Sequence, residues 1–417
     1  MKIFKFGGAS VKNAEGVINL AKVLRKTHFN DTVIVVSAMG KTTNSLEKLV
    51  DLYLQNSDNL NQQLFEIESF HQTIVNDLFD SKFSETGSVI KNIFKDLKFF
   101  LSTNKSEKYS FVYDQIVGYG EILSTKIIHK FLIKEQISNT WLDARKFIKT
   151  DSYYRDSNLK WDLTLQKIKA GFENGKTYVT QGFIASDINN FTTTLGREGS
   201  DYSAAIFAYA LNATEVTIWK DVNGILNADP RHFTETTLLE HVSYREAIEL
   251  AFYGASVIHP KTLQPLQRKE IPLYVRSFLN PSSKGTTVKK GSPLSPLIPC
   301  FILKQNQILL ELSSLDFSFI IEDNISDIFK LLHTHQMRVE LIQNSAISFS
   351  VCITNNYKRL DELLSNLKSR FKVKINKNVS LYTIRHFDQK AIEKITKNQK
   401  EILLEQRTQD TVQFITH

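Results

Sequence analysis

Short apolar runs alternate with amphipathic segments along the first 285 residues of the chain. The run Thr32–Val36 (TVIVV) has no polar residue in its interior, which is typical of a strand buried on both faces of a sheet. Before it, a short strand at Ile3–Phe6 is followed by apolar positions three or four residues apart, which predicts a helix that Asn13 can cap. This order of elements predicts an α/β domain with a mainly parallel sheet, in which ligands bind at the carboxyl ends of the strands.

Two longer segments of this part are each predicted as a single element. Residues 111–135 have the pattern of one long helix, and Tyr178–Ala185 has that of one buried strand with a glycine at its middle.

The pattern changes after residue 280. The segment Asn280–Pro299 holds four of the eight prolines, which predicts a linker. Beyond it, strands and helices follow the order βαββαβ over residues 308–375, which predicts a ferredoxin-like α+β unit. A shorter series of strand, helix and two strands repeats this theme from Val379 to the end.

Length and charge narrow the class of protein. A chain of 417 residues predicts two or three domains. The formal net charge of +8 is spread along the chain, without a compact basic block among aromatic residues, so we expect no nucleic-acid partner. Small anionic substrates fit the sign of the charge equally well.

Cysteine usage and hydropathy add a compartment. Cys300 and Cys352 are far apart and form no CxxC, which argues against a disulfide framework and a thiolate metal site, and the ten histidines show no HxxxH or HExxH spacing. No apolar run approaches the length of a membrane span, and the N-terminus lacks a signal-peptide core. We therefore expect a cytoplasmic protein without a membrane partner.

The stretch Thr192–Ala205 (TTTLGREGSDYSAA) joins a glycine-rich loop to a helix. Two glycines flank Arg197, and the apolar spacing predicts a helix that begins at Ser200 or Asp201. Flexible backbone amides, a helix N-terminus and a guanidinium group all favour a small anion. A capped helix after a flexible loop explains the same residues, so this stretch alone leaves both interpretations open.

Two charged residues stand among apolar neighbours. Lys5 lies in the first strand, just before Gly7 and Gly8, which is similar to a phosphate-binding loop without matching its GxxxxGK[ST] pattern. The alternative is a lysine on an exposed edge strand. Glu121 lies on a helix that two glycines interrupt, and a buried carboxylate needs a cation or several donors. It could clamp a substrate ammonium group or form a salt bridge with a lysine or arginine of the chain.

Seven segments, taken together and in order, resemble the aspartokinases of the amino-acid kinase family. The matching stretches are KFGGASV (5–11), VVSAMG (35–40) with Thr43 and Asn44, GEILS (120–124), QGFI (181–184), TLGREGSDYSA (194–204), DVNG (221–224) with DPR (229–231), and YGASVIHP (253–260). The resemblance implies the three-layer αβα amino-acid kinase fold over residues 1–285, a linker over 286–299, an ACT-like regulatory domain over 300–377 and a second, shortened ACT-like unit over 378–417.

The same resemblance implies ATP-dependent phosphorylation of the side-chain carboxylate of L-aspartate to 4-phospho-L-aspartate, the first step of lysine, threonine and methionine biosynthesis. ATP and Mg²⁺ are the implied cofactors, and the implied partners are an amino-acid effector of the ACT-like domains and a second copy of the chain. The acceptor carboxylate is ionised at neutral pH, so no general base is needed. This agrees with the absence of any evident Ser/His/Asp or Cys/His set.

Site residues follow from the resemblance by position. Those implied in catalysis are Lys5, Gly7, Gly8 and Asp201. Those implied in aspartate binding are Thr43, Glu121, Phe183, Arg197, Glu198, Gly199 and Ser200, with Arg197 on the α-carboxylate and Glu121 on the ammonium group. Those implied in ATP binding are Lys5, Ser37, Lys220, Asp221, Leu226, Arg231, Ser256 and Val257.

The chain departs from the family pattern at several positions. Ala9 stands where a hydroxyl residue is usual, Glu198 where glycine is usual, Leu226 where tyrosine is frequent and Ser256 where lysine is frequent. The loop Gln343–Ala346 lacks the acidic residue of lysine-sensitive members, so we expect weak or altered feedback by lysine. The alternatives are another amino-acid kinase, for glutamate or N-acetylglutamate, and a regulatory amino-acid-binding protein whose kinase site has decayed.

Overall fold

The computed structural model describes residues 1–27, 29–79, 84–255, 258–316, 318–355, 359–397 and 401–417. Contacts between Cα atoms divide the chain into two compact units. The first comprises Met1–Ile225, Leu238–Ile248 and Ser256–Pro296, and the second comprises Leu226–Thr237, Glu249–Ala255 and Leu297–His417.

The first unit contains a mainly parallel sheet. The strands up to residue 289 are β1 Lys2–Phe6, β2 Thr32–Val36, β3 Thr140–Leu142, β4 Tyr178–Gln181, β5 Ile184–Ser186, β6 Thr192–Thr194, β7 Glu215–Lys220, β8 His241–Ser243, β9 Leu273–Ser277 and β10 Thr286–Lys289. Eight of them form one sheet in the order β3-β4-β2-β1-β7-β9-β10-β8, in which only the pair β9–β10 is antiparallel. This confirms the predicted α/β class. The first residues of the predicted linker 286–299 form strand β10. This strand pairs with β8 and β9, which are distant partners that the local sequence does not indicate.

Helices connect these strands. They are α1 Ala14–Lys26, α2 Thr42–Leu54, α3 Leu60–Leu78, α4 Ser84–Thr103, α5 Tyr109–Val117, α6 Tyr119–Lys134, α7 Trp161–Gly171, α8 Gly199–Leu211, α9 Tyr244–Tyr253 and α10 Pro260–Arg268. Asn13 caps α1 as predicted, because its side chain accepts a hydrogen bond from the Gly16 amide.

Two single elements of the sequence prediction are in fact divided. The helix predicted over 111–135 is two helices, α5 and α6, which meet at Gly118. The strand predicted over 178–185 ends at Gln181, because Phe183 has a left-handed backbone with φ of 68°. The chain then enters a separate hairpin in which β5 pairs with β6.

The central strands end together at one edge of the sheet. Phe6 at the end of β1 pairs with Val36 of β2 and with Trp219 of β7, and Val36 pairs with Gln181 of β4. The loops that follow these four strands therefore start side by side, and they carry several of the predicted site residues.

The second unit is built on one antiparallel sheet. Its elements are β11 Cys300–Ser313, α11 Glu322–Thr334, β12 Arg338–Asn344, β13 Ser348–Thr354, α12 Leu360–Lys368, β14 Lys372–Arg385, α13 Gln389–Thr396, β15 Ile402–Arg407 and β16 Thr411–Thr416. The six strands have the order β12-β13-β11-β14-β16-β15. In the part of the chain described above, no helix has the length and apolar character needed to span a bilayer.

Two long strands hold the predicted ferredoxin-like units in this one sheet. β11 and β14 pair along most of their length, with a bulge between Lys304 and Gln307. Residues 307–313 with α11, β12, β13, α12 and the first half of β14 form the predicted βαββαβ unit. Residues 300–304 pair with the second half of β14, which in turn pairs with β16. The shortened ferredoxin-like unit therefore includes a strand at 300–304, which the sequence pattern did not separate from the ferredoxin-like unit before it.

Candidate active site

A cavity of about 470 Å³ lies in the first unit, among the loops at the carboxyl edge of the parallel sheet. Its walls are formed by Lys5, Ser37, Thr43, Tyr113, Glu121, Arg155, Phe183, Gly196, Arg197, Glu198, Gly199, Ser200, Asp201 and Lys220. Eleven of these fourteen were named as site residues from the sequence, so the structure brings most of the predicted site together.

Lys5 is a buried cation at the centre of the sheet. Only 8% of the residue is exposed, and its Nζ lies 2.7 Å from Oδ1 of Asp201. The edge-strand interpretation is wrong, because β1 lies between β2 and β7. A buried ammonium group requires a counter-charge, and Asp201, in the first turn of α8, supplies it.

The loops after β1 and β2 contact each other through glycine. A Cβ atom on Gly8 would lie 2.7 Å from the carbonyl oxygen of Ala38, which is closer than packed atoms allow, and the Gly40 amide donates to the Gly8 carbonyl at 3.1 Å. Gly7 and Gly8 are not part of the cavity wall, although a Cβ on Gly7 would be 3.4 Å from Nζ of Lys5. The two glycines allow the Lys5 amine and the loop after β2 to lie close to the loop after β1.

Helix α8 starts earlier than predicted. Its first residue is Gly199 and its N-cap is Glu198, so Ser200 and Asp201 lie in the first turn rather than at the cap. Glu198 has a left-handed backbone with φ of 53°, a conformation that residues other than glycine rarely adopt. The turn it forms directs the start of α8, with both buried polar residues, at the cavity.

Glu121 is a buried carboxylate that forms no salt bridge with any residue the structure describes. It is 2% exposed, its Oε1 accepts a hydrogen bond from the Ala38 amide at 3.3 Å, and its Oε2 has no hydrogen-bond partner among the described residues. Gly120 allows this approach, because a Cβ there would lie 2.9 Å from Cβ of Ala38. Burial raises the pKa of Glu121 to about 8. The salt-bridge interpretation is therefore wrong within the described chain, and the free oxygen suits a cationic group of a ligand.

Three residues of the cavity wall were not predicted as site residues, namely Gly196, Tyr113 and Arg155. Tyr113 and Arg155 lie outside every motif quoted from the sequence, so no local pattern indicates them. The Arg155 guanidinium is 4.5 Å from the centre of the Tyr113 ring, and the Tyr113 hydroxyl donates to Oε1 of Glu47 at 2.7 Å. Arg155 adds a cationic group to the cavity wall, and Tyr113 packs against it.

The cavity mixes both charges. Its cationic groups come from Lys5, Arg155, Arg197 and Lys220, and its carboxylates come from Glu121, Glu198 and Asp201. Burial first, and then the charge of Asp201, raise the pKa of the Glu198 carboxyl above its ordinary value. The nearby cations Lys220, Arg197 and Lys5 oppose this rise. A ligand with several negative groups and one positive group complements this arrangement.

The remaining predicted residues lie elsewhere. Asp221 is exposed and outside the cavity wall, and Leu226 and Arg231 belong to the second unit, where Arg231 pairs with Asp229. Ser256 and Val257 lie outside the described residues. The role of these five residues in nucleotide binding stays a prediction.

Comparisons with known proteins agree with this geometry. The family model described as the amino acid kinase family matches residues 1–277. The lysine-sensitive aspartokinase 3 of Escherichia coli (strain K12) is 30% identical over 357 residues, which cover 84% of this chain and 78% of that protein. The chloroplastic bifunctional aspartokinase/homoserine dehydrogenase 2 of Arabidopsis thaliana is 28% identical over 391 residues. The match covers 88% of this chain but only 42% of the Arabidopsis protein.

Solved structures resemble the whole chain. Aspartokinase III of E. coli in complex with aspartate and ADP (R-state) matches with a TM-score of 0.82 and 26% identity, over 100% of this chain and 96% of that one. The same enzyme in complex with lysine and aspartate (T-state) matches with a TM-score of 0.81, 25% identity and the same coverage. The family model matches residues 1–277, and the lysine-sensitive aspartokinase 3 of E. coli is 30% identical to this chain. The chain therefore belongs to the amino acid kinase family and, within it, to the aspartokinases.

Proposed function

We propose that this chain is an aspartate kinase, which transfers the γ-phosphoryl group of ATP to the side-chain carboxylate of L-aspartate and releases ADP and 4-phospho-L-aspartate. The observation that carries the proposal is the buried Glu121 carboxylate, whose Oε2 has no partner in the described chain, in one cavity with Arg197 and Lys5. An amino acid with a second carboxylate complements these three groups. The proposal includes the first step of lysine, threonine and methionine biosynthesis.

Each side chain has a distinct task in this proposal. Glu121 binds the substrate ammonium group and Arg197 its α-carboxylate, which leaves the side-chain carboxylate for the end of the cavity with Lys5. Thr43, Phe183 and the start of α8 complete the wall around the amino acid. The two charged contacts orient the reacting oxygen, which is how binding energy contributes to the rate.

The transfer needs no proton acceptor. An oxygen of the ionised acceptor carboxylate attacks the γ-phosphorus, and the bond from that phosphorus to the oxygen shared with the β-phosphate breaks, so that its electron pair leaves with ADP. The main barrier is the approach of two anions. Lys5, held by Asp201 at 2.7 Å, neutralises charge on the transferring group.

The carboxylates at the start of α8 fit a nucleotide-bound Mg²⁺. Among the described residues, no group of three or more histidine, cysteine, aspartate or glutamate side chains is arranged to hold a metal ion by itself. Mg²⁺ usually binds through one or two carboxylates together with phosphates and water. Glu198 and Asp201 would hold the Mg²⁺. Oε2 of Glu198 is buried and has no hydrogen-bond partner among the described residues. When bound, Mg²⁺ neutralises phosphate charge.

ATP would bind beside the amino acid. Ser37 and Lys220 lie in the cavity wall with Lys5. Asp221, Leu226, Arg231, Ser256 and Val257 are proposed on the family resemblance to contact the rest of the nucleotide.

The second unit is proposed to bind an amino-acid effector and to join two copies of the chain. The E. coli relative is described as lysine-sensitive, and one of its structures contains lysine. The loop Gln343–Ala346 of this chain has no acidic residue, so its response to lysine should be weak. Sedimentation of the full chain tests the homodimer.

The experiment for the reaction uses the full chain with ATP, Mg²⁺ and L-aspartate, and traps the acyl phosphate with hydroxylamine. Hydroxamate from L-aspartate but not from L-glutamate is the expected result. Hydroxamate from glutamate would favour a glutamate-type kinase. No hydroxamate from either, with ATP still bound, would favour the regulatory amino-acid-binding protein and overturn the proposal.

A further inference from the structure

The loop before α7 holds Arg155 in an unusual backbone conformation. Its φ is 61°, in the left-handed region, and its amide donates to both carboxylate oxygens of Asp114 at 3.0 Å each. A residue other than glycine in this region costs about 1–2 kcal/mol. Such strain persists where the surroundings determine it, and it is concentrated at ligand sites.

Asp114 joins this loop to the loop that carries Arg197. Its carboxylate is fully buried and also accepts from the Thr194 amide at 2.9 Å and from the Thr194 hydroxyl at 2.8 Å. Asp156 and Leu195 form an isolated β-bridge, and the Ser157 amide donates to the Thr194 carbonyl at 3.0 Å. The backbone beside Arg155 therefore runs directly against the backbone that leads to Arg197.

The side chain of Arg155 is held by aromatic rings. Its guanidinium lies 4.5 Å from the centre of the Tyr113 ring and 5.3 Å from that of Tyr109. The Tyr113 hydroxyl donates to Glu47, which fixes the ring. A guanidinium held over an aromatic ring by its charge can still donate from its N–H groups. Within the described residues these N–H groups make no hydrogen bond, and Arg155 forms part of the cavity wall.

We propose that Arg155 is a second arginine for the α-carboxylate of the amino-acid substrate, placed by Asp114 next to Arg197. This inference rests on the proposed function. The reacting carboxylate must lie near Lys5. Asp114 holds both the Arg155 amide and Thr194, which stands three positions before Arg197 in the chain. Two guanidinium groups on adjacent loops fit the carboxylate that does not react. Asp114 is a positioning residue, since it acts through the amide of Arg155.

The test compares Arg155→Met and Arg155→Lys with the wild type, varying L-aspartate at saturating MgATP. One charge-assisted hydrogen bond corresponds to roughly tenfold in affinity, so Arg155→Met should raise the KM for aspartate about tenfold. Arg155→Lys should fall between the two, because it keeps the charge and loses the planar fork. The kcat and the KM for ATP should stay within about twofold, because Glu121 and Arg197 still orient the substrate and the proposed contact of Arg155 is with the α-carboxylate alone. The matched control is Arg25→Gln, a surface arginine that pairs with Glu135 at 2.8 Å, and it should behave as the wild type.

A substrate analogue identifies the carboxylate. The α-amide of L-aspartate keeps the acceptor carboxylate and loses the α-carboxylate. The wild type should use this analogue with a raised KM, and Arg155→Met should raise it little further, because the contact is already gone. An equal tenfold loss on aspartate and on the α-amide would overturn the assignment to the α-carboxylate.

Failure of this inference and failure of the proposed function are distinguishable. If the wild type forms no acyl phosphate, the proposed function fails, and with it this inference. If the wild type is active and Arg155→Met keeps the wild-type KM for aspartate, only the inference is overturned. Asp114→Asn should raise the same KM with kcat retained. Should that variant fail to fold, as judged by thermal unfolding, the Arg155 variants still decide the question.

Discussion

The affinity for L-aspartate should depend on pH through Glu121. Burial raises the pKa of this carboxyl to about 8, and only its ionised form pairs with the substrate ammonium group. With a pKa of about 8, the ionised fraction is about 1% at pH 6, about 10% at pH 7 and about half at pH 8. The same relation gives about 3% at pH 6.5 and about 76% at pH 8.5, so the kcat/KM for aspartate should rise roughly 25-fold between these two pH values.

The stability of the unliganded fold should change in the opposite direction. The pKa of Glu121 is raised by folding, so the stabilisation from its protonated form is fully present below the unfolded pKa near 4.5 and is lost as pH rises through about 8. Aspartate should restore stability at high pH, because its ammonium group then replaces the proton.

The assay measures kcat/KM for aspartate between pH 6.5 and 8.5 at saturating MgATP, for the wild type and for Glu121→Gln. The amide has the shape of the carboxyl and does not titrate, so the variant should have a raised KM and a nearly flat profile. Burial also raises the pKa of Asp114 to about 6, and its protonation acts only at the acid limit of this range. A flat wild-type profile, or an equal slope in Glu121→Gln, would refute the reasoning.

Three further predictions concern catalysis, packing and regulation. Lys5→Ala should lower kcat roughly 100-fold or more and leave the KM for aspartate nearly unchanged, since the lysine acts on the transferring phosphoryl group; a loss confined to KM in steady-state assays would contradict this role. Gly8→Ala should lower the free energy of unfolding by about 1–3 kcal/mol in denaturant titrations, because its Cβ would meet the Ala38 carbonyl at 2.7 Å. The matched control Gly87→Ala, in helix α4 with no atom closer than 4.0 Å, should be neutral or stabilising. Millimolar L-lysine should inhibit only weakly, and strong inhibition would show that the second unit recognises lysine without an acidic residue at 343–346.

Local patterns in the sequence were sufficient for the class of the fold and for most of the cavity. The apolar run Thr32–Val36 is a fully buried central strand, as its composition predicts, since a parallel strand covered on both faces is apolar along nearly all of its length. The glycine-flanked Arg197 and the carboxylate Glu121 were named from short motifs, and both line the cavity. Such motifs are readable because the turn or close approach they permit is a property of a few neighbouring residues.

Only the tertiary structure decided which charges are paired. Lys5 and Asp201 are almost two hundred positions apart, and nothing near either residue indicates their contact at 2.7 Å. The same holds for Glu121, whose Oε2 is buried without a hydrogen-bond partner among the residues described, and for Arg155, whose amide a carboxylate 41 positions away holds in place. The reason is that ion pairing and burial are set by which elements become neighbours in the folded chain. The long strand Cys300–Ser313 shows the same limit. Its first half pairs with one end of β14 and its second half pairs with the other end, so the strand takes part in both ferredoxin-like units.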